Sequence, residues 1–143
     1  MIALFVALLW GISPVIHKHV LKNVAPKVIM TVGSIFYFLC MCLFVIYNWE
    51  FLKNEVPKLD QMSLLWIAIA SIISAFIANV LYFYILKKHD SYVVSALIYA
   101  SPVFTLLLAV MLLKEKVNAY GIGGVLLIVT GVILMAFNER KHF

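Results

Sequence analysis

Five long apolar runs, at residues 2–21, 28–49, 63–86, 92–113 and 119–137, constrain this chain more than anything else in it. Crossing a bilayer takes roughly 20 apolar residues at about 1.5 Å of rise each, and each run meets that length. Of the 143 residues 66% are hydrophobic and 12% are charged. A soluble domain of this size could not bury so much apolar surface, so lipid has to solvate most of it. The links between runs are short and hold nearly all the charge, which leaves no room for a separate soluble domain. The sequence therefore predicts an all-α membrane protein, one five-transmembrane-helix bundle over residues 1–143. The first run lacks a basic leader and a small-residue cleavage site, and it reads as a true span rather than a signal.

The net charge of +5 raises a nucleic-acid reading. The basic residues instead flank apolar spans, where they can meet anionic headgroups, so the expected partner is the lipid bilayer and not nucleic acid. Five spans place the termini on opposite sides. Lys53, Lys58, Lys114 and Lys116 then fall on the N-terminal side. Lys18, Lys22, Lys27, Lys87, Lys88, Arg140 and Lys141 fall on the other. The positive-inside rule favours an N-terminus outside and a cytoplasmic C-terminus, most simply in the plasma membrane. Cys40 and Cys42 are too few to frame disulfides and read as small packing residues. No metal and no cofactor is expected, and no HExxH, GxSxG or acidic cluster suggests an enzyme.

Every Asp and Glu lies in a loop or at a helix end, so no carboxylate sits at mid-membrane to carry proton coupling. The mid-span polar residues are milder. Ser13, Tyr37, Asn79, Tyr82, Tyr99 and Ser101 are candidates to line a solute path, with helix packing as the competing reading. Pro14 and Pro102 join them. Each lacks an N–H and crowds the carbonyl four residues earlier, on Trp10 and Ile98. A helix broken in this way is tolerated in lipid where neighbours or cavity water complete its bonding. His17 and Lys18 close the first run. They read either as an interfacial basic pair or as a solute or proton contact.

Lys114-Glu115-Lys116 turns the chain between the last two runs, with Glu115 expected to cap the fifth helix. In that helix Gly124 and Gly131 lie seven apart on one stripe, with Gly121 nearby. Such a stripe permits close approach of another helix, as at an oligomer interface.

Taken in order, these features resemble the EamA domain of the drug/metabolite transporter superfamily. The matching residues are Tyr82 and Tyr84, Ala96, Pro102 inside the fourth span, Glu115 at its end, then Gly124 and Gly131. "LLWGISPVIHK", residues 8–18, looks like the family's first-span motif through Trp10, Gly11 and Lys18. Gly121 departs from the pattern, where a polar residue such as Gln is frequent. The resemblance implies five spans per domain and half of a ten-helix inverted-repeat transporter. A single-domain chain would act as a homodimer, antiparallel or parallel, or as a paired half-transporter moving small solutes by alternating access. The alternative is a non-transport membrane subunit that pairs with a larger membrane partner.

Overall fold

The computed structural model describes residues 2–139. Arg140 and Lys141, counted in the charge balance above, lie outside them. The described chain is helical, with five segments long and apolar enough to cross a membrane. Most large hydrophobic side chains are exposed, and among the described residues only Leu21, Phe83, Leu86, Val93 and Val94 form the buried hydrophobic set. In water that distribution would be untenable; in acyl chains it carries no penalty, because lipid tails are as apolar as leucine.

The elements run α1 (Ile2–Leu21), α2 (Pro26–Tyr47), α3 (Trp49–Glu55), α4 (Gln61–Ser71), α5 (Asn79–Lys88), α6 (Ser91–Ile98), α7 (Ser101–Leu113) and α8 (Ala119–Glu139). A short 3-10 turn at Val56–Lys58 precedes α4, and a π-helical stretch at Ile72–Ala78 joins α4 to α5. The third span is thus α4, the π stretch and α5 in succession, and the fourth is α6 followed by α7.

The span ends differ from the sequence expectation for local reasons. The second span starts at Pro26, not 28, since a proline's missing N–H and fixed φ suit the first helical turn. It stops at Tyr47, where Asn48 turns its side chain back to donate to the Phe44 carbonyl at 2.9 Å. The third span starts at Gln61 rather than 63. Asp60 caps it, accepting from the Ser63 N–H at 3.4 Å. Hydrogen bonds from the side chain and backbone of Ser63 hold the Asp60 carboxyl below its ordinary range. The fourth span, read as one apolar run at 92–113 with Pro102 disrupting its helix, is two helices.

By contact density the chain divides into two compact units, one of Met1–Ile16 with His89–Phe143 and one of His17–Lys88. In the first, α8 packs against α6 and α7, and Val93, Val94 and Pro14 are buried. In the second, α2 packs against α5; Leu21, Pro26 and Leu86 are buried near the ends of the helices that carry them, and Phe83 is buried at the middle of α5.

Candidate functional site

The fourth span is interrupted at Tyr99–Ala100, just ahead of Pro102. Helix α6 ends with the Tyr99 N–H on the Ser95 carbonyl at 2.9 Å, and the Ala100 N–H then reaches only three residues back, to Leu97, at 3.2 Å. The chain restarts as α7 with Pro102 in its first turn. Pro102 has no N–H to offer the Ile98 carbonyl, so the interior bond of a continuous helix is missing at this point. Sequence reasoning placed Pro102 inside a helix; the structure uses it as a helix start, the position where proline is least disruptive.

Two open grooves in this unit meet the interruption. One, of about 350 Å³, is lined by Gly11, Val15, Ser91, Ser95, Ala96 and Tyr99 together with Tyr92. The other, of about 330 Å³, is lined by Ser101, Pro102, Thr105, Leu106, Ala109, Glu115, Val117 and Val125. Both sit at the small end of the volumes that ligand sites occupy. Three sequence-predicted residues, Tyr99, Ser101 and Pro102, therefore border grooves. Ser13 and Pro14 line neither, although Gly11 and Val15 on the same helix do. The spacing of Ser91, Tyr92, Ser95, Ala96 and Tyr99 is one helical face, and that periodicity was the available signal for the first groove. Thr105 donates to the Ser101 carbonyl at 3.2 Å, which fixes its hydroxyl at the start of α7.

In the other unit, Tyr82 and Asn79 lie on α5. The Tyr82 ring meets Phe83 edge-on at 5.0 Å between centroids and His17 at 6.1 Å, and His17 meets Phe83 at 4.8 Å. Asn79 is exposed and donates to the Ala75 carbonyl at 3.0 Å. Ser71 and Ser74 likewise bond Ile67 and Ala70. Ser71 and Asn79 flank the π-helical stretch and Ser74 lies within it, a feature that the sequence did not announce. Tyr37, 68% exposed on α2, borders neither groove.

Lys18 has a definite structural partner. Its Nζ donates to the carbonyls of Leu86 at 2.8 Å and Lys87 at 3.2 Å, where α5 runs out of helical donors. Lys87 in turn donates to the Val24 carbonyl at 3.1 Å.

At the end of α7 the chain passes through left-handed φ at Lys114 (54°), and the N–H groups of Lys114 and Glu115 both reach the Ala109 carbonyl. The cap of α8 is not Glu115 but Asn118, whose Oδ1 accepts from the Gly121 N–H at 2.8 Å. A Cβ at Gly121 would lie 3.1 Å from Val117 Cγ1, whereas one at Gly124 or Gly131 would meet nothing within 4 Å. Gly121 therefore serves the local turn, while the surface at Gly124 and Gly131 is open.

Five apolar spans, with one broken at a proline beside two mainly apolar grooves, define an integral membrane protein. The EamA-like transporter family matches residues 1–137, and the chain belongs to that family. A protein of Bacillus subtilis (strain 168), "Uncharacterized transporter YojE", is 27% identical over 142 residues. The alignment covers 91% of this chain and 44% of that relative, so the chain spans less than half of the relative's length. No solved structure matches significantly.

Proposed function

We propose that the chain is a half-size transporter of small solutes that completes its pathway by pairing, most simply with a second copy. The observation that carries this reading is the interruption of the fourth span. Irregular backbone at membrane depth is stable only where protein or cavity water satisfies it, and discontinuous helices are where transporters hold solute. Tyr99, Ser101 and Pro102 are the solute-contact residues on this reading, and Asn79 and Tyr82 on the third span are the next to test. Family membership supports transport as the activity, and the relative's greater length leaves room in it for two such units. An antiparallel pair would restore the inverted repeat that alternating access uses.

The test is flux by the purified chain alone in liposomes, screened with radiolabelled amino acids, sugars and nucleosides. Saturable uptake that falls at least tenfold in Tyr99→Ala, with unchanged reconstitution, is the expected result. Uptake that appears only after a larger membrane partner is co-reconstituted would replace this reading with that of an accessory subunit.

A further inference from the structure

We infer that the end of the second unit formed by the α1–α2 loop and the terminus of α5 is a binding surface for the phosphate of an acidic phospholipid. Lys18, Lys22, Lys27, Lys87 and Lys88 all fall there. The unit's carboxylates, Glu50, Glu55 and Asp60, lie beyond the far end of α2. That helix has 22 residues, so the separation is about 33 Å, several Debye lengths. At the far end Lys58 is paired with Glu55. Asp90, two residues past Lys88, offsets at most one of the five lysine charges.

Two of these lysines are tied to backbone carbonyls: Lys18 to Leu86 and Lys87, and Lys87 to Val24. Those bonds tie the α1–α2 loop to the end of α5, so that Lys22, Lys27 and Lys88, all three exposed, project from elements joined at one end of the unit. Helices α2 and α5 pack together just beneath, with Val28 and Ile85 half exposed. A cationic rim over an apolar wall suits a phosphate with acyl chains attached. It suits free phosphate less well, since a free ion has no use for the wall, and a zwitterionic headgroup brings a cation of its own to the rim.

The test uses the full chain in detergent and counts retained lipid by native mass spectrometry. Phosphatidylglycerol is expected to be retained at least tenfold over phosphatidylcholine. Lys22→Gln/Lys27→Gln/Lys88→Gln should abolish the preference, and Lys53→Gln/Lys58→Gln should keep it. Raising the salt should erode it in the wild type, a reading that does not depend on the triple variant's folding. Equal retention of both lipids, a preference that survives the triple variant in folded form, or one insensitive to salt would overturn the proposal. Displacement of the lipid by inorganic phosphate at equal concentration would overturn it too, since the site would then be one for the free ion.

Discussion

Pro14 and Pro102 sit in apolar runs of the same kind, and the chain treats them differently. Around Pro14, α1 stays helical from Ile2 to Leu21 and the proline is buried. Around Pro102 the helix ends, turns and begins again. The difference lies upstream: at Ala100 the chain has already changed to three-residue hydrogen bonding before the proline arrives. In this chain a proline accompanies a broken span only where the flanking backbone has given up the helix as well. The third span makes the converse point, departing from α geometry over Ile72–Ala78 with no proline at all.

Substitution should separate the two prolines. The largest effect is expected from Pro102→Ala: a loss of flux of tenfold or more in liposomes with little change in unfolding temperature, because a first-turn proline costs the helix almost nothing. Pro14→Ala should do the reverse. Replacing an interior proline recovers at most about 3 kcal/mol, so its unfolding midpoint should rise while flux holds. Equal loss of flux in both variants would mean that the two positions are not distinct.

A second contrast lies within α8. Gly121→Leu should destabilise the chain by about 1–3 kcal/mol through overpacking against Val117, and Asn118→Ala by about 1 kcal/mol through loss of the cap. Gly124→Leu should leave the helicity and unfolding of the chain unchanged, since its side chain meets open space. Light scattering then decides whether Gly124→Leu separates a dimer. The smallest effect concerns Asp60. Its lowered folded-state pKa means its stabilising contribution is present above the ordinary aspartate range and disappears as pH falls through the folded value. Asp60→Asn and wild type should therefore differ slightly in unfolding midpoint near neutral pH and converge in acid.

The five spans were legible because membrane helices announce themselves by length and apolarity alone. The charge that ends each run also located the loops within two residues. The site was legible only in part. Proline marked the fourth span, but the exact break depends on backbone bonding at Tyr99 and Ala100, residues with no distinctive local preference. Lys18 read either as an interfacial charge or as a solute or proton contact, because nothing in sequence says that the Leu86 carbonyl, 68 residues on, is an acceptor for it. Glu115 looked like a cap by charge, while Asn118 had the side-chain geometry to be one. Nothing in Ile72–Ala78 foretold the π stretch, since Ile, Ala and Phe serve an α-helix equally well.

That stretch also sets how the third span tolerates insertion and deletion. A π turn closes its hydrogen bonds one residue later than an α turn, so Ile72–Ala78 holds length that the helix does not need. Removing one residue there lets the turn tighten toward α geometry and leaves the faces of α4 and α5 close to their present alignment. The same removal from the middle of α7 has no slack to draw on and rotates every later side chain by about 100°. The third span is where this chain can change length without changing which way its residues face.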